Sequence, residues 1–235
     1  MKLVKACIAM AAFAALFVVP SIASAVQITH PTGTTAPVGT LITATNVQHS
    51  GTAKNTIMTV PGVGNFECTE ATLTGELTKN AAGGASVEGN ITTAEFRGHP
   101  GGGSNDCNSP LGTFVVKPSH TNNEVHTGKT SLPWCVRAAG GDTFTLRGGK
   151  CSEATRALTF SLQVTGIAPC LYEKAEVTGT YTTHPGDLIG TIINQEFKES
   201  ALTSSIFCPN AGSLDMAFTL ETDNELKQGL FIDSV

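Results

Sequence analysis

Leu73-Thr74-Gly75-Glu76-Leu77-Thr78 and Val177-Thr178-Gly179-Thr180-Tyr181-Thr182 are one pair in a series of matching stretches that decides the fold. Upstream, Gly39-Thr40-Leu41-Ile42-Thr43 answers Gly141-Asp142-Thr143-Phe144-Thr145, and Cys68 answers Cys170, both at an offset of 102. Downstream, Gly89-Asn90-Ile91-Thr92-Thr93-Ala94-Glu95-Phe96 answers Gly190-Thr191-Ile192-Ile193-Asn194-Gln195-Glu196-Phe197 at 101. Phe96 to Cys107 and Phe197 to Cys208 are both eleven steps, and Thr121-Asn122-Asn123-Glu124-Val125 returns as Thr222-Asp223-Asn224-Glu225-Leu226. The offset drifts only where the turn between Thr78 and Gly89 differs in length, as surface loops do. Ordered matches at a near-constant offset are the signature of an internal repeat. They predict two copies of one unit of about a hundred residues, spanning 26–130 and 131–235.

The unit is built of strands. In Thr159-Phe160-Ser161-Leu162-Gln163-Val164-Thr165 apolar and polar residues alternate. Leu214, Met216, Phe218 and Leu220 alternate in the same way with their neighbours, as do Phe144 and Leu146. A period of two is that of a half-buried antiparallel strand, with Thr on the wet face. Pro61-Gly62, Gly83-Gly84, His99-Pro100-Gly101, Gly140-Gly141, Gly148-Gly149 and Pro185-Gly186 punctuate the chain as turns. The expected fold is therefore all-β: two tandem, disulfide-stapled antiparallel β-sandwich repeats, either separate or merged into one larger sandwich. Asn194 to Phe207 tempts a helix assignment. Its counterpart, Thr93 to Asp106, carries Gly98, Pro100, Gly101, Gly102 and Gly103, so a strand followed by a loop is expected in both. Asn108 to Thr130 reads as a linker in its polar part, with a strand at Phe114-Val115-Val116.

The chain has 235 residues and a formal net charge of −5. That balance gives no electrostatic basis for gripping nucleic acid or an anionic bilayer. Lys2 and Lys5 precede an apolar run from Ala6 to Val19, and Ala23-Ser24-Ala25 follows Pro20. This is the pattern of a secretory signal peptide over residues 1–25, and the run is short for a membrane span. Cys7 stands at the front of the run, away from the cleavage point, so it is not a lipid-attachment site. The expectation is an exported chain, at the cell surface, extracellular or periplasmic, with no membrane span after cleavage.

Six cysteines then remain: Cys68, Cys107, Cys135, Cys151, Cys170 and Cys208. An even number in an exported chain reads as disulfides, with fifteen pairings open in principle. The nearest two are 16 apart, far from the close pairs that zinc sites use. The repeat selects one pairing as the economical one. Cys68–Cys107 and Cys170–Cys208 staple one copy each, and Cys135–Cys151, opposite Gly33 and His49, is private to the second copy and bridges its opening strands.

No catalytic signature is present: no G-x-S-x-G elbow, no H-E-x-x-H, no phosphate-cradling glycine loop and no EF-hand loop. The six histidines His30, His49, His99, His120, His126 and His184 are scattered. His99 and His184 open His-Pro-Gly triplets that do not align in the repeat and read as turn residues. His120 and His126 could meet across a hairpin, but no third ligand is near. Glu95 and Glu196 are equivalent; each is expected to face solvent beside a core phenylalanine, Phe96 or Phe197. Trp134 beside Cys135 is expected in the core. No catalytic, cofactor-binding or metal-binding residue is assigned, no cofactor is expected, and the chain reads as non-enzymatic.

A signal peptide, a Thr-rich opening with Pro31-Thr32-Gly33, Cys then L-T-G, Gly-x-Ile then Phe then Cys, and Leu132-Pro133-Trp134 follow one another in this chain. That order resembles the PraB-like family of small exported bacterial proteins, named for activation of alkane oxidation, over residues 28 to 182. It is also similar to other exported bacterial β-proteins with the same Cys-to-Phe-to-Cys spacing. The resemblance implies an extracellular accessory or surface-matrix protein, linked to biofilm or to the handling of apolar substrates, and transfers no functional residue. The expected function is an exported, non-catalytic adhesion, matrix or accessory role, with cell-surface or matrix polymers or apolar compounds as partners. The alternatives are a carrier of a small apolar ligand and a hydrolase with an unrecognised site.

Overall fold

The computed structural model describes residues 26–49, 52, 54–98, 106–110, 112–119, 130–153, 156–164, 169–184, 187–202, 208–222 and 230–234. The expected signal peptide and His99, His120 and His126 lie outside the described residues, as does all of the Thr121 and Thr222 match except Thr222 itself.

Among the described residues there are sixteen strands and no helix. They are β1 (Val26–Thr29), β2 (Leu41–Asn46), β3 (Thr56–Val60), β4 (Gly64–Cys68), β5 (Glu70–Lys79), β6 (Ser86–Arg97), β7 (Asp106–Ser109) and β8 (Gly112–Lys117). The rest are β9 (Trp134–Ala139), β10 (Thr143–Gly148), β11 (Leu158–Val164), β12 (Cys170–Lys174), β13 (Val177–His184), β14 (Asp187–Glu199), β15 (Ala211–Thr222) and β16 (Phe231–Ser234). Alternation drives them. Along β5, Ala71, Leu73, Gly75 and Leu77 are buried while the residues between them reach outward, which a pleated strand at a core boundary requires. Asn194 to Glu199 continues β14, as a strand rather than a helix. Phe114-Val115-Val116 forms the centre of β8.

Fourteen of these strands close into one antiparallel ring, in the order β10-β13-β14-β12-β11-β8-β7-β4-β3-β15-β2-β5-β6-β9, and β9 returns to β10. β14 and β15 also pair with each other along most of their length, from Leu188↔Leu220 to Lys198↔Ala211. This ladder divides the large ring into two smaller ones of eight strands each. The first ring runs β14-β15-β2-β5-β6-β9-β10-β13, and the second β14-β12-β11-β8-β7-β4-β3-β15. Two long strands serve both because their outer edges change partner part-way. β14 leaves β13 after Thr191 and meets β12 at Lys198, while β15 pairs β3 at Ser213–Asp215 and β2 from Phe218 onward.

The changeover coincides with a bulge in β14 between Ile192 and Gln195. There Asn194 takes a positive φ of 48°, and its backbone N–H donates to Asp215 Oδ1 at 2.6 Å. A bulge adds local bend and twist, which is what lets one strand serve two curved sheets.

The sequence-matched segments occupy corresponding places. Gly75 stands opposite Ile42 as Gly179 stands opposite Phe144, and Leu77 opposite Gly89 as Tyr181 opposite Gly190. Strand pairing also runs across residue 130: β8 pairs with β11, β6 with β9, and β15 with both β2 and β3. The core is correspondingly one continuous cluster drawn from both halves of the chain.

Three disulfides join Cys68 to Cys107, Cys135 to Cys151 and Cys170 to Cys208, the pairs that the sequence spacing singles out. Such bonds persist in an oxidising compartment, extracellular or periplasmic. No helix among the described residues is long and apolar enough to cross a membrane.

Candidate functional site

In an eight-stranded ring, side chains pointing inward either fill the space or leave room for one small ligand. The first ring leaves room. Its interior holds a cavity of about 100 Å³ to which all eight strands contribute. Alternate residues supply the wall, for example Ile42 and Ala44 of β2, and Val87 and Ile91 of β6. The only residues along it with polar side chains besides Tyr181 are Glu76, whose side chain is exposed, and Asn90. The Asn90 amide oxygen is taken up by the backbone N–H of Cys151, 2.9 Å away. The chamber is therefore apolar, and a dry apolar chamber favours hydrocarbon over water.

Glycines shape the wall where aromatic rings approach it closely. A Cβ on Gly179 would stand 2.3 Å from Phe144 Cζ, and one on Gly190 would stand 2.6 Å from Phe218 Cε2. With both glycines bare, the Phe144 and Phe218 rings meet edge to face, centroids 5.8 Å apart. Tyr181 turns its hydroxyl out of the apolar space and donates it to the Ala139 carbonyl at 3.2 Å. Burial, and then the nearby Asp142 carboxylate, raise its pKa above the usual tyrosine value.

One end of the chamber is covered by a separate ribbon. β1 and β16 pair only with each other, from Val26↔Ser234 to Thr29↔Phe231, and Ile28 and Ile232 both face the chamber. Asn80, just past β5, fastens the ribbon. Its amide oxygen accepts from Ile28 N–H at 2.9 Å, and its amide nitrogen donates to the carbonyls of Ile28 at 2.8 Å and Ala36 at 2.7 Å. Val26 N–H adds a bond to Gly84 carbonyl at 2.9 Å in the β5–β6 turn.

A second apolar cavity, of about 60 Å³, is walled mainly by strands of the second ring, with Leu73, Phe96, Trp134, Leu146 and Val177 reaching it from the first. Phe160, Phe197 and Trp134 are among its walls, with Phe160 packed edge-to-face on Phe197 at 4.8 Å. Trp134 is buried, and its indole N–H donates to Ser131 Oγ at 3.2 Å.

The residues singled out in the sequence do not converge. Phe96 and Phe197 are buried while Glu95 and Glu196 are exposed, Glu95 paired to Arg97 at 2.9 Å. His49 Nε2 lies 3.3 Å from Thr182 Oγ, and His184 closes β13. Among the described residues no three His, Cys, Asp or Glu side chains group as a metal site. The cavity lining was missed by sequence reasoning because strand alternation says which residues face inward but not how completely they fill the interior. The glycines in L/V-T-G and in Gly-x-Ile were the available signal, since a glycine in a strand often marks a close approach.

Against known proteins, the chain matches no family model, no curated protein and no solved structure.

Proposed function

We propose that this is an exported, non-catalytic accessory protein that carries a small apolar molecule inside its first ring. The observation that carries the reading is the apolar chamber of about 100 Å³ enclosed by eight strands and covered by the β1–β16 ribbon. An apolar cavity of about 150 Å³ takes up six-carbon benzene, so this chamber suits a compact hydrocarbon of about four carbons. Export agrees with the signal-like residues 1–25 and with three disulfides. Equivalent strand registers in the two halves support the origin of the barrel in a duplicated unit. The handling of apolar compounds is also what the PraB-like resemblance implies.

Titration of the purified mature chain with 1-bromobutane tests the reading. The expected result is saturable uptake of one molecule per chain and a melting temperature that rises with ligand concentration, as linkage demands. No melting shift up to the solubility limit of the probe would overturn it.

A further inference from the structure

The two cavities are neighbours, and two residues line both. Leu73 of β5 and Leu146 of β10 line both the first-ring cavity and the second-ring cavity. Both are buried, and they approach from strands on different parts of the first ring. All the other residues lining either space belong to one cavity alone. The walls of both spaces are apolar: Ile91 and Phe144 border the first-ring cavity (the outer chamber below), Phe160 and Ile192 the second-ring cavity (the inner chamber). Neither leucine makes a polar contact that would oblige the wall to be there.

We propose that Leu73 and Leu146 form a partition across one apolar channel, and that this partition sets the length of hydrocarbon the protein accepts. The proposal rests on the carrier reading and deepens it. With the partition in place, a ligand occupies the outer chamber of about 100 Å³ and stops short of the inner one of about 60 Å³. Trimming either leucine to alanine removes side-chain volume at the divide and joins the chambers. A chain about three to four carbons longer then fits, on the scale of benzene in a cavity of about 150 Å³.

The chain's single tryptophan reports on this directly, because Trp134 lines the inner chamber and not the outer. The probes are 1-bromobutane and 1-bromooctane, whose bromine quenches indole emission on contact. In the wild-type protein, 1-bromobutane raises the melting temperature and leaves Trp134 emission nearly unchanged, and 1-bromooctane binds at least tenfold more weakly. In Leu73→Ala and in Leu146→Ala the preference moves to 1-bromooctane, and its binding quenches Trp134. Leu73→Val and Leu146→Val, which disturb packing less, move it part of the way and keep the test open should an alanine variant fold poorly. Binding of 1-bromobutane to the wild type, with no change of length preference and no quenching in any variant, overturns the partition and leaves the carrier reading standing. Strong quenching of wild-type Trp134 by 1-bromobutane also overturns the partition. Failure of the wild type to bind either probe overturns both.

Discussion

Tyr172 and Tyr181 are the only tyrosines in the chain, so their ionisation can be followed without ambiguity. Tyr172 lies on β12, stacked on Phe160 with centroids 5.9 Å apart and almost wholly buried. Burial, and secondarily the Glu199 carboxylate, push its pKa from 10.0 up to about 12. The folded protein thus holds this proton where the unfolded chain has already released it. Stability is therefore unaffected below pH 10 and declines as pH rises from 10 toward about 12. The slope is about 1.4 kcal/mol per pH unit for a group that shifts alone. A titration of phenolate absorbance beside circular dichroism should show Tyr172 ionising only as the β signal is lost. Full phenolate absorbance near pH 10, with the fold intact, would show that its hydroxyl is open to water. At this scale the sequence was uneven. Cysteine partners were legible because the spacing of Cys68 to Cys107 repeats in Cys170 to Cys208. The role of Gly179 was not, because it depends on Phe144, a residue thirty-five positions earlier whose ring needs the missing Cβ.

β1 and β16 stand apart because they leave the closed ring and, among the described strands, each pairs with the other alone. A two-stranded ribbon alone is marginal in water, so its place over the chamber depends on what fastens it. Asn80 bonds the backbone N–H and carbonyl of Ile28 in β1 and the carbonyl of Ala36 beyond it at once. Asn80→Ala takes the partner from the buried Ile28 N–H, at about 1–3 kcal/mol, while the Ile28 carbonyl keeps the Ala36 N–H at 3.0 Å. The expected outcome is amide exchange in β1 and β16 faster by tenfold or more, with exchange in β5 and β6 little changed, read by hydrogen–deuterium exchange. Equal acceleration throughout would mean that the ribbon is part of the main cooperative unit rather than a cover upon it. Strand identity was legible from alternation, and the comparison of Asn194–Phe207 with its glycine-rich counterpart favoured a strand then a loop where a helix pattern tempted, as β14 bears out to its end at Glu199. The bulge at Ile192 and Gln195 was not legible. It answers to the curvature of two sheets that meet there, and no local pattern in Ile192-Ile193-Asn194-Gln195 encodes that demand.

At the scale of the molecule, the question is whether 26–130 and 131–235 behave as two bodies or one. Ring closure cannot be read from period-two patterns, because every strand looks the same whichever neighbour completes it. The pairings supply what the patterns lack. Without residues 131–235, β2 and β3 lose β15, β8 loses β11, and β6 loses β9. Each loss exposes a strand edge whose unpaired N–H and C=O groups invite aggregation. The Cys68–Cys107 disulfide closes a loop of 39 residues and stabilises by about 4 kcal/mol on a chain-entropy estimate. A crosslink of that kind restrains the unfolded chain but supplies no partner for an open edge. The shared β14–β15 ladder and the single core tie the two rings in the same way, since neither can open without stripping one face of that ladder. Calorimetry of the intact, oxidised chain should therefore show one transition, with a calorimetric enthalpy equal to the van't Hoff enthalpy. A fragment comprising 26–130 should remain unfolded or aggregate even with its disulfide formed. Two resolved transitions, or a soluble 26–130 fragment with dispersed amide resonances, would mean that each half completes its own sheet and that pairing across residue 130 contributes little to either.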